Sequence, residues 1–427
     1  MNVSNGPTQM NHNPGIAAAE AVDQDRLWQR HMEMAKIGAI PGNGVNRQAL
    51  TKEDITARKL FFSWAKASGF SIGLDAIGNI FVRRHGRDPD AAPVVTGSHM
   101  DSQLSGGRFD GIYGVLAGLE VLEALDRAGA ETERPIDVVA WTNEEGGRFA
   151  PGAMGSMVFT ESRPLDECLG IADPQGVVLA DALAETLAAT PEAEKRPFNF
   201  PIAAYIETHI EQGPVLEAKG LPIGIVTSIQ GSRWFEIEIR GESAHAGTTP
   251  LKARRDAVQG AVAAISALNT LMDDPTDTVR FTVGRIVAVP NSPNTVASRV
   301  SFTIDLRHPE GTVLTDLGDK VEATCRNAVT RCDVEVREVF NRQPCVFDPN
   351  VLATIEGSAA ALNLLAMRMP SGAFHDAMFM NEICPSGMIF VPCEKGISHN
   401  PAENASPSDL AAGVRVLAMT VFKLANS

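Results

Sequence analysis

Residues 97–102, Gly-Ser-His-Met-Asp-Ser, and residues 106–111, Gly-Gly-Arg-Phe-Asp-Gly, decide how the rest of the chain is interpreted. His99 comes just after the short apolar run 93–96, which predicts a strand. Asp110 follows in a turn rich in glycine. A histidine and an aspartate placed together beyond a strand end are typical of a metal site. Taken alone, Asp110 is better explained as an ordinary turn aspartate.

Composition describes a globular chain with an acidic balance. The length of 427 residues exceeds what one hydrophobic core usually fills, so two domains are expected. The formal net charge of −15 argues against a nucleic-acid surface, and no apolar stretch reaches the length of a membrane span. The six cysteines form no Cys-x-x-Cys pair, and the first residues lack the basic segment of a signal peptide. We therefore expect reduced thiols and a cytoplasmic protein that binds neither nucleic acid nor membrane.

Strand and helix patterns alternate along most of the chain, which favours an α/β sheet with helices packed on it. The pattern changes at about residue 231 and returns after 343. The stretch between has the order β-α-β-β-α-β, which is typical of the split-βαβ or ferredoxin-like sandwich. We therefore predict a disordered tail over 1–22, a discontinuous metal-binding domain over 23–230 and 344–427, and an inserted α+β domain over 231–343.

Three more polar motifs follow apolar runs that predict strands. They are Asn-Glu-Glu at 143–145, His-Ile-Glu-Gln at 209–212 and Ser-His-Asn at 398–400. Ligands of open α/β sheets gather beyond the carboxyl ends of the strands, so these motifs are expected to converge with the first. Imidazole and carboxylate donors suit zinc or a neighbouring divalent ion, and one aspartate can bridge two ions about 3.5–4 Å apart. Asp110 is the bridging candidate, and Asp101 is placed to orient the first histidine.

The adjacent carboxylates Glu144 and Glu145 are expected to have different roles. Neighbours on an extended segment point to opposite sides, so one can bind metal while the other faces the substrate as general base. A solvated acidic turn is the simpler alternative, but the pair follows closely after the apolar run 136–141. A lone histidine is usually a hydrogen-bonded bystander. Five of the nine histidines nevertheless lie among small or polar residues at expected strand ends or turns, and these are His99, His209, His245, His375 and His399.

Motifs spread along the chain resemble those of one enzyme family. In order, the chain carries GSHMDS, GGRFDG, NEEGGRF, ETHIEQGP, GESAHAGTTP, SGAFHDA and ISHNPAE. Together they resemble the amidase, hydantoinase/carbamoylase family of binuclear-metal hydrolases, within the aminoacylase and di-zinc exopeptidase superfamily. Members include N-carbamoyl-L-amino acid amidohydrolases, allantoate amidohydrolases and yeast-type β-ureidopropionases. The resemblance implies a mixed-sheet, three-layer catalytic domain and an inserted ferredoxin-like domain that serves as lid and dimerisation domain.

The resemblance also implies two divalent metal ions in each subunit. Asp110 would bridge the ions, and Glu144 would be the catalytic acid and base. Zinc is the expected metal, although manganese, cobalt and nickel tolerate the same donors. The implied metal ligands are His99, Asp110, Glu145, His209 and His399.

Residues of the inserted domain are implied to contact the substrate. His245 would stabilise the oxyanion from the partner subunit of a homodimer. Asn294 and Arg307 would hold the substrate carboxylate, which a guanidinium fork binds through two parallel hydrogen bonds. The simpler alternatives are a turn residue for Asn294 and a surface ion pair for Arg307.

Residues of the metal-binding domain are also implied to contact the substrate. Gln212 would hydrogen-bond the ureido or carboxylate group, although turn capping explains it equally simply. Gly372 and His375 would lie on the substrate side of the centre. Phe374 departs from the family pattern, which has glycine at that place, so the shape of the substrate pocket is expected to differ.

The motifs therefore predict an enzyme that hydrolyses the ureido C–N amide bond of an N-carbamoyl amino acid, releasing the amino acid, ammonia and carbon dioxide. Allantoate amidohydrolase is the nearest alternative because it shares the motifs and differs in the ureido acid that fits. A dipeptidase or aminoacylase of the same superfamily is more distant. A metal-free binding protein of the same fold is the remaining alternative, and the complete set of ligand residues argues against it.

Overall fold

The computed structural model of the protein describes residues 13–191 and 193–427. The chain forms two compact units. The first consists of Met1–Thr227 with Phe347–Ser427, and the second consists of Ser228–Val346. These limits lie close to the domain boundaries expected at 231 and 343, so the second unit is an insertion in the sequence of the first.

A large mixed sheet forms the first unit. Its four central strands run parallel, and antiparallel strands flank them on both sides. The central strands are buried along their whole length, as expected for apolar runs with both faces covered. Across the sheet the strands are Cys345–Val346, Ile223–Ile229, Ser386–Val391, Ala204–Ile210, Val94–His99, Ile136–Trp141, Ile80–Arg84, Ser71–Leu74 and Glu194–Lys195, with Ala366–Ser371 also paired to Ile223–Ile229.

This sheet confirms the α/β class and fixes the place of the motifs. Parallel strands that are neighbours in a sheet end at the same edge, so the segments that follow the four central strands leave the sheet side by side. Each of these segments carries one of the polar motifs. The fold therefore gathers side chains that are up to several hundred positions apart in sequence.

Helices pack against the sheet and against each other. The helix Ile112–Arg127 begins directly after the Asp110 turn and packs on the strand Val94–His99. The C-terminal helix Pro407–Ala425 packs against it and begins at Ser406, whose hydroxyl accepts the N–H of Asp409. The other α-helices described in this unit are Pro14–Glu20, Gln24–Met34, Lys52–Ala67, Met154–Phe159, Leu165–Leu169, Leu179–Ala188, Val215–Lys219, Pro349–Ala361 and Ala377–Met380.

The N-terminal segment differs from the tail expected over 1–22. Residues 1–12 lie outside the described residues, but the helix Pro14–Glu20 is ordered. It begins where the Asn13 side chain accepts the N–H of Gly15, and it buries Ala18 and Ala19. The helix packs on the C-terminal helix, so its small apolar residues gain a tertiary partner that local sequence cannot show. The expectation of a disordered tail was therefore wrong for residues 13–22.

A four-stranded antiparallel sheet forms the second unit. Across this sheet the strands are Arg280–Val289, Arg299–His308, Gly231–Arg240 and Asp333–Arg342. Along the chain, the helix Ala257–Leu271 follows the strand Gly231–Arg240. The helices Gly311–Asp319 and Val321–Ala328 precede the strand Asp333–Arg342. The order is the β-α-β-β-α-β expected here, with the second helical stretch divided at Lys320. Apolar faces of the sheet and helices form one core.

Short strands complete the second unit. Ala244–His245 pairs antiparallel with Thr295–Val296. Cys345–Val346 pairs with Ser228 and Ile229. In neither unit do the described residues form a helix long and apolar enough to cross a membrane.

Candidate metal centre and active site

Polar residues from neighbouring strand ends meet at the carboxyl edge of the first unit's sheet. His99 ends one central strand, and His209 lies near the end of its parallel neighbour. Glu145 follows the next strand, and His399 lies in the loop after the fourth. Asp110 lies in the turn before the helix Ile112–Arg127. The structure thus brings together the motifs that the sequence placed at separate strand ends.

The first donor group contains His99, Asp110 and His209, all of them buried. One ligand atom from each lies within 4.8 Å of the others. The Nε2 atom of His209 is 3.2 Å from Oδ1 of Asp110, and the Nε2 atom of His99 is 4.0 Å from the same oxygen. Two imidazoles and a carboxylate converging in this way are the donors that zinc and similar ions prefer.

The second donor group contains Asp110, Glu145 and His399, and its ligand atoms also lie within 4.8 Å of one another. The Nε2 atom of His399 is 3.2 Å from Oδ2 of Asp110 and 3.5 Å from Oε2 of Glu145. Asp110 therefore turns one carboxylate oxygen to each group. Two His/carboxylate groups that share one aspartate are the donor set of a two-ion centre, so the residues present fit the expected metals.

Main-chain carbonyls fix the orientation of both buried histidine rings. The Nδ1 atom of His99 is 3.0 Å from the carbonyl oxygen of Asp101, and that of His209 is 2.9 Å from the carbonyl of Ile210. When a neutral ring donates its Nδ1–H to such a carbonyl, the lone pair lies on Nε2, the atom that faces Asp110. The glycine at Gly111 is required here, because a Cβ would lie 2.2 Å from Cε1 of His99.

The carboxylate of Asp101 has a different role from the one expected. The ring of His99 contacts the main-chain carbonyl of Asp101, while the carboxylate oxygen Oδ1 is 3.7 Å from the ring nitrogen. The two carboxylate oxygens instead accept the main-chain N–H groups of Glu144 at 3.2 Å and Glu145 at 3.1 Å. Asp101 therefore holds both the histidine and the pair of glutamates in place.

Glu144 lies beside the two donor groups without belonging to either. Its Oε2 atom is 3.5 Å from Nε2 of His99, and its side chain is 9% exposed. Burial, followed by the nearby carboxylates of Asp376 and Glu145, raises the pKa of Glu144 well above its ordinary value. A carboxyl group with a raised pKa beside two metal-binding groups is suited to accept and return protons.

The electrostatics of the donor residues reflect their crowding. Burial and the neighbouring Asp110 raise the pKa of Glu145 to about 8. The hydrogen bond that the ring of His399 donates to Asp110 raises the pKa of His399 to about 9. Burial acts to raise the pKa of Asp110, but hydrogen bonds with His209 and His399 outweigh it and hold that pKa well below its ordinary value. Asp110, Glu144 and Glu145 thus place three carboxyl groups close together, and divalent cations neutralise such a concentration of negative charge.

The residues expected on the substrate side of this unit lie next to the centre. Gln212 donates from Nε2 to Oδ2 of Asp110 and to the hydroxyl of Ser398, both at 3.1 Å, so it contacts the shared ligand directly. The ring of His375 packs edge-on against His209 at 4.6 Å, and its Nε2 is 3.0 Å from the Ser371 hydroxyl.

The loop that precedes His375 is more open. Gly372 is exposed, and Phe374 is half-buried against the ring of Phe379 at 5.6 Å. Burial lowers the pKa of His375 well below its ordinary value, so the ring is neutral at physiological pH.

The remaining expected site residues belong to the second unit. His245 is exposed, and its Nδ1 accepts the main-chain N–H groups of Gly247 at 3.0 Å and Thr248 at 3.2 Å. Asn294 is its neighbour, because the N–H of Ala246 donates to the carbonyl of Asn294. Arg307 is separate from them, on a strand where its guanidinium pairs with Asp305 at 2.8 Å. The surface ion pair considered as the simpler alternative for Arg307 is thus present.

Sequence reasoning missed several residues that support the centre. Gln103 donates from its main chain and its amide to the carboxylate of Glu145, at 3.1 and 2.7 Å. Glu207 is fully buried and accepts hydrogen bonds from Ser98 and Tyr205 and from the N–H of Ala377. Glu403 accepts from the main chain at Asp110. Only Glu207 could have been found from the sequence. It is a carboxylate inside an apolar strand, and a buried charge needs hydrogen-bonding or charged partners.

Comparison with known proteins gives a consistent result. The model of peptidase family M20/M25/M40 matches residues 95–423. An N-carbamoyl-L-amino-acid amidohydrolase from Rhizobium meliloti is 40% identical over 95% of this chain and 97% of its own length. A hydantoinase/carbamoylase family amidase from Burkholderia multivorans has a crystal structure with a TM-score of 0.88 and 44% identity, over 95% of this chain and 98% of its own.

Other relatives carry different names. An allantoate amidohydrolase from Escherichia coli is 33% identical over 95% of this chain and 98% of its own length. A ureidoglycolate hydrolase from Arabidopsis thaliana is 33% identical over 97% of this chain and 90% of its own length. The chain therefore belongs to peptidase family M20/M25/M40, whose enzymes are metal-dependent, and is a hydrolase of amide C–N bonds of the hydantoinase/carbamoylase type.

Proposed function

We propose that this enzyme hydrolyses the ureido C–N bond of an N-carbamoyl amino acid and releases the amino acid, ammonia and carbon dioxide. The observation that carries the proposal is the pair of donor groups that share Asp110, with Glu144 beside them. The similarity to an N-carbamoyl-L-amino-acid amidohydrolase over nearly the whole chain supports this choice of substrate.

Two divalent ions are the proposed cofactor. His99 and His209 would hold one ion, Glu145 and His399 the other, and Asp110 both. Zinc is the expected metal, and manganese, cobalt or nickel suit the same donors. When bound, such ions act as Lewis acids toward a carbonyl oxygen and make water easier to deprotonate.

Glu144 is the proposed acid and base. Its carboxylate removes a proton from the water that attacks the ureido carbonyl carbon, and it returns a proton to the nitrogen that departs. This step cleaves one C–N bond and leaves the carbonyl carbon in a carbamic acid, which then decomposes to carbon dioxide and the second amine. One water is consumed in total, and one nitrogen leaves as ammonia while the other remains on the amino acid. Asp101 accepts the main-chain N–H groups of Glu144 and Glu145, and Gln103 donates to the carboxylate of Glu145. These contacts hold the base and the metal ligand in fixed positions relative to each other.

The substrate carboxylate is the group that distinguishes a ureido acid from a simple amide. Asn294 and Arg307 are the proposed partners of this carboxylate, with Gln212, Gly372 and His375 on the side of the metal centre. Arg307 donates from Nε and Nη2 to Asp305 on its own strand, so the substrate carboxylate is proposed to share the guanidinium with Asp305.

The second unit is the proposed lid and dimerisation domain. His245 is the proposed oxyanion donor, acting on the centre of the partner subunit. Its Nδ1 accepts two main-chain N–H groups, so the neutral ring carries its proton on Nε2 and can donate that proton in a hydrogen bond. A cytoplasmic location is also proposed.

Allantoate and ureidoglycolate are the alternative substrates, because relatives named for both cover most of the chain. Purified enzyme would be given N-carbamoyl amino acids, allantoate, ureidoglycolate and dipeptides in parallel, with released ammonia or amino acid as the signal. We expect the highest kcat/KM with an N-carbamoyl amino acid. A higher value with allantoate or ureidoglycolate would select that alternative, and turnover of dipeptides alone would overturn the ureido proposal.

A further inference from the structure

The two donor groups are held in place by different means. His99 and His209 lie on paired strands of the sheet and are almost fully buried. His399 instead lies in a loop, with 51% of its side chain exposed and a positive φ of 52°. The sheet therefore fixes the two histidines of the first donor group, whereas His399 and the shared Asp110 depend on whatever holds their loops together.

Glu403 is a buried carboxylate that joins those loops. Its Oε1 accepts the main-chain N–H groups of Phe109 at 2.9 Å and Asp110 at 3.1 Å. Its Oε2 accepts the hydroxyl of Ser398, the residue before His399, at 2.9 Å. The residue is 1% exposed, and no cation among the described residues forms an ion pair with it.

The hydrogen bonds continue from Glu403 to the shared ligand. The Ser398 hydroxyl is also 3.3 Å from Oδ2 of Asp110, and Gln212 donates to both of these groups at 3.1 Å. The same Oδ2 atom is the one that lies 3.2 Å from the ring of His399. A single residue, Ser398, therefore links Glu403 to the carboxylate oxygen of Asp110 that belongs to the second donor group.

The turn that carries Asp110 is shaped to admit this carboxylate. A Cβ at Gly107 would lie 2.0 Å from both the carboxyl carbon and Oε1 of Glu403, so any other residue would displace the side chain. A buried carboxylate without a cation is costly unless its hydrogen bonds are satisfied, and here both oxygens have donors. Both the turn of Asp110 and the loop of His399 therefore have the residues that this contact with Glu403 requires.

We propose that Glu403 is a positioning residue that fixes the loop of His399 to the Asp110 turn and thereby sets the metal affinity of the second donor group. The inference rests on the two-ion centre proposed above. Residues that orient metal ligands typically change metal affinity by about 10- to 100-fold when they are removed. Because the sheet holds His99 and His209 independently, and Asp110 is the one ligand that both groups share, we expect most of this loss in one of the two binding steps.

The test is a calorimetric titration of the metal-free, full-length protein with Mn²⁺. We expect Glu403→Ala to weaken one of two binding steps by about 10- to 100-fold and to change the other less than about 3-fold. Glu403→Gln should stay within about 3-fold of the unsubstituted protein, because its amide oxygen can accept both N–H groups and its NH₂ can donate to Ser398. In a Glu145→Ala background, which lacks a ligand of the second group, Glu403→Ala should have little further effect.

Asp75 offers a matched control. It is also a buried carboxylate with no ion pair among the described residues, and its Oδ1 accepts two main-chain N–H groups, from Ile77 and Asn79. Asp75→Ala should lower the melting temperature of the metal-free protein without changing either Mn²⁺ affinity. If Glu403→Ala does not fold, Ser398→Ala tests the same link and should weaken the same single step.

Three results would overturn the inference: unchanged affinities in the folded Glu403→Ala protein, an equal loss in both steps, or a loss in Glu403→Gln as large as in Glu403→Ala. The last result would mean that the charge matters and the hydrogen bonds do not. Failure of the unsubstituted protein to bind two ions is a separate outcome, and it would count against the proposed function itself.

Discussion

Replacing Glu144 with glutamine separates proton transfer from metal binding. The substitution keeps the volume of the side chain and removes its ability to accept and return a proton. The main-chain contacts of residue 144 do not involve the side chain: its N–H donates to Asp101 at 3.2 Å, and its carbonyl accepts the N–H of Ala153 at 2.7 Å. Neither donor group loses an atom, because Glu144 belongs to neither.

The expected loss follows from this geometry. A positioned acid or base contributes about 10²- to 10⁴-fold to the rate, which corresponds to about 3–5 kcal/mol of transition-state stabilisation. We therefore expect kcat of Glu144→Gln to fall by that factor, while KM and the metal content per chain change little. Burial and the carboxylates of Asp376 and Glu145 oppose ionisation of Glu144 and raise its pKa, so a neutral amide in its place should not lower the melting temperature of the metal-free protein.

The adjacent residue supplies the control. Glu145→Gln makes the same chemical change one position along the chain, on a residue whose Oε2 lies 3.5 Å from the ring of His399. We expect this variant to lose affinity for one metal ion. The assay is steady-state kinetics on an N-carbamoyl amino acid together with metal analysis of both variants. Activity of Glu144→Gln within about tenfold of the unsubstituted enzyme, or loss of its metal, would refute the division of roles.

Three further predictions concern other parts of the chain. Arg307→Ala should lower kcat/KM by about 10- to 100-fold for an N-carbamoyl amino acid, through lost charge-assisted hydrogen bonds, and much less for its methyl ester; equal losses would exclude a role in binding the carboxylate. Mixed dimers of His245→Ala and Glu144→Gln subunits should recover activity that neither parent shows, and no recovery would argue against action across the dimer. Burial lowers the pKa of His31 to about 3 from 6.5, so the unfolded state takes up a proton first and stability is lost as pH falls below 6.5. His31→Phe keeps an aromatic ring in contact with Phe109 and Tyr113. It should reduce the slope of the unfolding free energy against pH by up to about 1.4 kcal/mol per pH unit between pH 6 and 4, and an unchanged slope would contradict this.

Sequence alone located the strand ends because buried parallel strands have a distinctive pattern. The run Ile136–Trp141 and the run Ser386–Val391 are almost continuously apolar, and a polar motif follows each. Once strands are parallel neighbours, their carboxyl ends must meet, so the grouping of His99, His209 and His399 could be anticipated without coordinates.

Contacts between main chain and side chain could not be anticipated in the same way. The carboxylates of Asp101, Glu207 and Glu403 bind N–H or O–H groups from segments distant in sequence, and nothing in their local pattern identifies those partners. Gln212 was predicted to face the substrate, and its additional hydrogen bond to the shared ligand Asp110 could not be anticipated from the local sequence. The helix Pro14–Glu20 was missed because its stability comes from a partner at the other end of the chain.

The shared aspartate is tested most directly by the electron paramagnetic resonance spectrum of the enzyme loaded with Mn²⁺. Asp110 directs one oxygen toward each donor group. Two Mn²⁺ ions bound by these groups would therefore lie about 3.5–4 Å apart and would be magnetically coupled. We predict two Mn²⁺ ions per chain and a coupled two-ion spectrum that Asp110→Ala abolishes. Two uncoupled Mn²⁺ signals, or a single ion per chain at saturation, would contradict a centre bridged by Asp110.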